Sequence, residues 1–569
     1  MDDNRSTLSD PEKEKEDKSV SLHEERDAEK HPQSDKELTG LRPESRQSSH
    51  QTDPELGLDK TTSKAASKAE VAFTPIVELS ESDPNVVGWD GEDDPKNPLN
   101  WPFRIRWGHI AIISAITFVT PLASSMFAPG VPELMVEFDS TNELLASFVV
   151  SVYVLGFALG PLLIAPLSEL YGRLYVYHVC NVFFIIFTVA CALATNLNML
   201  IGFRFLEGCF GAAPLTIGGG TIADLIVQEQ RGGAMAIFAM GPLLGPVIGP
   251  VIGGYLSEAK GWRWVFWLLA LISGVVTISA LVFMRETYPI TLLKRKAARL
   301  RKSTGNQQLR SKLDTGIPPR ELFARSIVRP AKMLLFSPIV LLLSLFMTVV
   351  YGYLYLLFTT FPLVFQEQYG FSTGSVGLAY IGIGVGCLLG LAACGVASDK
   401  IMKAKSSKGE MKPEYRLPPM IYGAPLIPIG LFWYGWSAQA KAHWIVPIIG
   451  SLFVGAGMLA IFVRTYTLSP PRLAVSTASL QETNRFQMPV QTYMVDAFTV
   501  YAASALAANT VLRSTGGALL PLAGQKMYKA LGLGWGNSLL GFIALAMCPI
   551  PWVFYKYGER IRKRYVLEL

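Results

Sequence analysis

From Trp107 onward the chain alternates apolar runs of twenty or more residues with short polar breaks. Each run can cross a hydrocarbon core of ~30 Å as a helix. The pattern predicts spans at 107–128, 144–167, 174–195, 199–223, 233–256 and 263–284. A polar interval follows, and then spans at 338–360, 374–398, 417–437, 443–462, 499–522 and 536–556. Six spans, a break and six more make an all-α membrane protein of twelve transmembrane helices.

The two sextets read as copies. Asp224 precedes Trp264 by 40 residues, and Asp496 precedes Trp535 by 39. Pro166–Arg173 after span two corresponds to Gly395–Lys400 after span eight. Two related six-helix bundles are the plan of a carrier that rocks about a midplane site. One interval breaks the copy. Arg173 to Asp224 is 51 residues, whereas Leu417 to Asp496 is 79. Most of the excess is the polar, Pro-containing 463–487 segment, and removing its 25 residues leaves 54. It begins with Val463 and ends with Gln487, as a translated, unspliced intron read in frame would. The alternative is a genuine loop insertion, which costs a fold little.

Charge divides the chain into parts. Residues 1–100 hold 25 Asp and Glu against 13 Lys and Arg, leaving 20 acids and 38 bases for the rest. The first segment is polar and poor in aromatics, and is expected to be a disordered, acidic cytosolic arm. Residues 101–284 and 336–556 are then the two bundles, 285–335 a basic central loop and 557–569 a short tail. The 285–332 stretch holds thirteen bases and three acids. Alternate loops facing the same side as this stretch carry 28 Lys and Arg, and the opposite loops carry five. That bias places both termini in the cytosol.

No Gly-x4-Gly-Lys-Ser/Thr phosphate loop occurs, which argues against ATP as the energy source. The six cysteines lie singly in apolar stretches, so no metal, disulfide frame or other cofactor is expected. The basic loops are accounted for by topology, so no nucleic acid is expected as a partner.

Charged groups inside spans are costly and mark proton or substrate paths. Arg204 and Glu207 share one face of span four with Gly208 and Gly211. They are candidates for proton coupling, or else a permanent pair that orients helices. In span five, Gly241, Gly245, Gly249 and Gly253 recur every four residues, interleaved with Pro242, Pro246 and Pro250 and followed by Gly254. Such a stripe lets a neighbouring helix approach closely. Glu169, Gly172 and Arg173 close the turn after span two; Arg173 is a candidate to pair with Glu169 and with Asp224 as a latch, or else the turn is a topological anchor alone. Asp399, Lys400 and Asp496 are the corresponding latch candidates in the second half. Tyr351, Tyr355 and Phe358 in span seven, with Arg513 in span eleven, are candidates for contacting a substrate, or else packing anchors.

With these motifs the chain resembles the major facilitator superfamily, and within it the fungal 12-span drug:proton antiporter-1 family. Asn97–Trp101 looks like that family's pre-membrane motif, Ala165–Arg173 like its motif A and Phe203–Gly208 like its motif B. Gly245–Gly254 is similar to the antiporter motif C, and Arg285–Pro289 to the turn that follows span six. The resemblance implies proton-coupled efflux of small amphiphilic compounds by a non-enzymatic, monomeric carrier in the cell membrane. A polyamine exporter, an uptake permease of the same fold and a non-transporting membrane sensor remain as alternatives.

Overall fold

The structure, a computed structural model, describes residues 85–227, 230–313, 316, 318–406, 414, 417–462, 493–494, 497–498 and 502–564. The 463–487 segment, Asp496 and most of the acidic arm lie outside the described residues.

The first bundle contains α1 (Phe103–Ser125), α2 (Val131–Glu137), α3 (Glu143–Tyr171), α4 (Arg173–Ala192), α5 (Leu197–Gly211), α6 (Ala213–Leu225), α7 (Arg231–Lys260) and α8 (Arg263–Phe283). Between the bundles lie α9 (Pro289–Thr304) and α10 (Pro319–Phe336). The second bundle contains α11 (Pro338–Tyr369), α12 (Thr373–Ala379), α13 (Ile381–Ser406), α14 (Pro418–Gly423), α15 (Leu426–Gln439), α16 (Ile445–Phe462), α17 (Ala502–Met547) and α18 (Pro549–Arg564).

Nine helical stretches among the described residues are long and apolar enough to cross a membrane. The longest, 504–562, holds two of the expected spans, with the chain reversing at Gly532, whose φ of 74° suits glycine. The shorter α14–α15 pair and α16 account for the ninth and tenth expected spans. Boundaries follow local chemistry. Asn142 and Asn196 accept backbone N–H bonds at the starts of α3 and α5, and Ser337 does so ahead of Pro338 in α11. Gly370, left-handed at φ 65°, closes α11.

The packing repeats between halves. Spans one and five, two and four, and three and six pack as pairs, matched by seven and eleven, eight and ten, and nine and twelve. The halves meet along two seams, span two against span eleven and span five against span eight. Each half has its own apolar core, one built around Phe127, Tyr153 and Phe266, the other around Tyr353, Phe361 and Tyr434.

Two expectations are corrected. The 285–335 interval is not a loop: it folds into α9 and α10, with Pro289 starting α9 and left-handed Gly305 ending it. Leu293 and Ala297 bury one face of α9, while Lys294, Arg299 and Lys302 are exposed. The last part of the arm, from 85 to 101, is also folded. A two-residue parallel pairing joins Val86–Val87 (β1) to Arg310–Ser311 (β2). Asp94 accepts hydrogen bonds from the backbone N–H groups of Asp90 (2.9 Å) and Lys96 (2.8 Å). Lys296 of α9 donates to the Gly88 carbonyl at 2.8 Å and pairs with Asp90.

Candidate functional site

Arg204 and Glu207 are fully buried, and the guanidinium lies 3.1 Å from the carboxylate. A buried pair must satisfy its remaining donors and acceptors to be tolerated. Arg204 also donates to the carbonyls of Ala123 (3.0 Å), Ser124 (3.4 Å) and Val149 (3.4 Å). The first two are terminal carbonyls of α1, which lack intrahelical partners. Arg204 therefore caps span one from span four, and its cation sits 4.7 Å from the Tyr153 ring centroid. Glu207 in turn accepts from Thr188 at 2.9 Å and from the Cys191 thiol at 3.8 Å. Span three thus holds the carboxylate while span four carries it.

The network crosses to the second half at one residue. Ser124 donates its hydroxyl to the Pro121 carbonyl at 2.7 Å and accepts from the Tyr355 hydroxyl at 3.0 Å. Tyr355 stacks edge-on with Tyr351 (5.1 Å) and with Phe358 (5.5 Å), and the Arg513 guanidinium lies 4.8 Å from the Tyr351 centroid. The candidate proton residues and the candidate substrate residues are therefore one connected set. Phe358 stands at its inner edge, packed against Tyr380 in the second core.

The glycine stripe of α7 lies on the backbone of span one. A β-carbon at Gly241 would sit 2.9 Å from the Phe118 nitrogen, at Gly245 2.8 Å from the Leu122 nitrogen, and at Gly249 2.5 Å from the Ser125 hydroxyl. At Gly253 it would reach 1.8 Å from the Met126 carbonyl oxygen. Gly254 and Pro250 face the other way, onto Thr373 and Gly377 of span eight. The prolines Pro242, Pro246 and Pro250 remain inside a continuous helix. One helix thereby packs against its own half and seals the seam with the other.

Arg173 pairs with Asp224 at 3.4 Å, donates to the Ser168 hydroxyl at 2.7 Å and lies over the Tyr288 ring at 4.4 Å. The expected pairing with Glu169 is not formed; among the described residues Glu169 has no ion pair. The second acid at this turn is Glu286, which accepts from the backbone N–H groups of Arg173 (2.9 Å) and Leu174 (3.3 Å). A carboxylate is favoured at the positive start of α4. Gly172 is required here: its φ is 94°, and a β-carbon would fall 2.3 Å from a Glu286 oxygen. Burial, with the nearby Glu169 charge, pushes the Tyr288 hydroxyl up to about 12. Asp399 and Lys400 fall within α13, but their side chains, like Asp496, lie outside the described residues.

At the opposite end of the bundle, polar contacts tie the halves together. Glu258 accepts from the Gly374 N–H at 2.7 Å and from the Ser372 hydroxyl at 3.0 Å, and Glu133 accepts from the Thr373 hydroxyl at 3.1 Å. Lys529 pairs with Glu143 across the span two and span eleven seam.

Sequence reasoning missed several buried polar groups. Asn509, Ser514 and Ser344 in the second half, and Ser147 and Ser151 in the first, are buried with side-chain atoms that have no hydrogen-bond partner among the described residues. Only their type, amide or hydroxyl within an apolar run, could have flagged them. A cavity of about 10 Å³ beside Thr120, Asn181 and Thr277 has room for about one water molecule. The Asn181 amide nitrogen and Thr120 hydroxyl beside it have no partner among the described residues.

Two six-helix bundles with matching helix pairs, one holding a buried ion pair and joined to the other through Ser124 and Tyr355, have the architecture of a membrane carrier. The chain belongs to the major facilitator superfamily: the family model described as Major Facilitator Superfamily matches residues 113–486. The MFS-type transporter tndD of Aspergillus flavipes is 56% identical over 520 residues, covering 90% of this chain and 92% of that protein. The efflux pump radE of Floropilus chiversii is 54% identical over 507 residues, covering 89% of each. Among solved structures, the partially occluded, inward-open xylose transporter XylE of E. coli superposes with a TM-score of 0.56 at 17% identity. That match covers 79% of this chain and 97% of XylE. At that identity the likeness concerns the fold.

Proposed function

We propose that the protein is a proton-coupled exporter of small amphiphilic compounds, drugs or a fungal secondary metabolite, working by alternating access. It acts as a monomer in the cell membrane, with the basic end and both termini in the cytosol. The observation that carries this reading is the connection from Glu207 through Arg204 and Ser124 to Tyr355. A proton on Glu207 cancels the charge that faces Arg204. The guanidinium then depends more heavily on the carbonyls of span one, and the end of that span carries the hydroxyl that meets the second half. Coupling requires only that protonation differ in free energy between the inward-facing and outward-facing states. The Glu258–Gly374 and Glu133–Thr373 contacts support an arrangement closed at the outer end. The names of relatives such as the efflux pump radE favour export.

The test is Glu207→Gln, which keeps the shape and removes the titration. In an efflux-deficient yeast, export of a loaded cationic dye should slow at least tenfold and lose its dependence on external pH. Wild-type efflux in this variant would eliminate the carboxyl mechanism.

A further inference from the structure

A cavity of about 220 Å³ lies at the outer end of the span two and span eleven seam. Both halves wall it. Val131, Met135 and Val150 from the first and Leu363 from the second give it an apolar body. Its polar lining is Ser140, Thr141, Glu143, Thr359, Gln366, Glu367 and Gln525. Gln525 is only 8% exposed, lines the cavity and has no hydrogen-bond partner among the described residues. The residue is otherwise buried, so its amide is held at the cavity wall, where it can bond a polar group that enters. Glu143 is already paired with Lys529, which leaves the exposed Glu367 carboxylate as the excess charge at the mouth. The volume falls below the ~300 Å³ of a pocket that encloses a whole drug-sized ligand.

We propose that this cavity is an outer binding subsite for an amphiphile bearing a protonated amine, occupied just before release. The amine is held by Glu367 and the Gln525 carbonyl, and an apolar ring or chain lies against Met135, Val150 and Leu363. Neutral molecules of the same shape gain the apolar contact without the charge-assisted bond, which is roughly twice as strong as a neutral one. The role in release rests on the export reading above. The site itself does not.

The test uses the full-length chain in phosphatidylcholine nanodiscs with Thr141→Cys, an exposed position at the cavity rim, labelled by a membrane-impermeant maleimide. The same chain without that substitution supplies the background from the native cysteines. The probes are 2-phenylethylammonium and its neutral analogue 2-phenylethanol. The ammonium should slow labelling, and the alcohol should need at least tenfold more for the same effect. Glu367→Gln, an isosteric change at an exposed residue, should raise the half-protecting ammonium concentration at least fivefold. Gln525→Glu should lower it by a similar factor. Equal protection by the two probes, no protection at all, or unchanged protection in both variants would each overturn the site. The nanodisc carries no gradient, so protection with no efflux in cells would sink the exporter reading and leave the site standing. Conversely, normal efflux with no protection would sink the site alone. In cells, Glu367→Gln should raise the KM for amine export and leave its pH dependence unchanged; a change in pH dependence without a KM effect would refute the release role.

Discussion

The first half buries charge at its centre, and the second buries rings and amides. Arg204 and Glu207 lie at zero exposure among helices of one bundle, held by Thr188, Cys191 and three backbone carbonyls. Across the interface stand Tyr351, Tyr355 and Arg513, with the buried Asn509 and Ser514, which have no partner among the described residues, on the same helix as Arg513. Two halves with the same helix pairing thus carry different chemistry where they meet. A duplicated scaffold supplies symmetric seams that can rock, and the asymmetry of side chains assigns the titratable group to one half and adaptable contact surface to the other. The hydrogen bond from the Tyr355 hydroxyl to Ser124 joins the two sets.

The largest effect that could break this contrast is on stability. Arg204→Leu leaves Glu207 buried without its partner and uncaps span one, a loss of about 3–5 kcal/mol. The thermal melting point of the purified protein should fall sharply, and Arg204→Leu with Glu207→Leu should recover most of it. A single variant as stable as wild type would mean that the first half does not depend on its buried charge. Next is Gly253→Ala, whose β-carbon would collide with the Met126 carbonyl and force spans one and five apart, costing about 1–3 kcal/mol. Gly274→Ala, where nothing lies within 4 Å, is the control and should be neutral or mildly stabilising in the same melt. Tyr355→Phe removes a single hydroxyl at the junction, worth about 1 kcal/mol. Stability should barely change, whereas the pH dependence of efflux should flatten; an unaltered pH profile would move the coupling path elsewhere.

The sequence made the contrast only partly legible. Arg204 and Glu207 could be paired because i,i+3 spacing within one helix predicts contact. The carbonyls of Ala123 and Ser124 could not be assigned to Arg204, because they lie about eighty residues away and become available only where α1 ends. The glycine period announced a close helix partner without naming span one. Glu169 was the near choice for Arg173 by position in the chain. Glu286, more than a hundred residues on, takes the start of α4 because the turn after span six folds back beneath it. In the central interval, Pro289, Gly305 and the Leu293–Ala297 spacing did mark a helix, but the density of bases drew attention to sidedness. The outer cavity left no mark in the sequence, since its walls come from four separate spans that are apolar for membrane reasons alone.

The smallest predicted effect concerns the folded end of the acidic arm, where the first half is tied to the central segment. The Asp90 and Lys96 backbone N–H groups hold the Asp94 carboxyl below its ordinary value of 3.8, with Lys296 nearby adding to the effect. A carboxylate whose folded value is lowered contributes stability above its unfolded value, and that contribution disappears as the pH falls through the folded one. Docking of residues 88–100 should therefore be unchanged from neutral pH down to about 5, and should loosen progressively below about 4. Hydrogen exchange of the Asp90 and Lys96 amides reads this directly. Asp94→Asn should speed their exchange about fivefold at neutral pH, the scale of one hydrogen bond, and should make it insensitive to acid beyond the intrinsic rate. Protection that persists unchanged to pH 3 would show that the strand pairing with Arg310 and Ser311, and not the Asp94 clasp, holds the arm on the helix of Lys296.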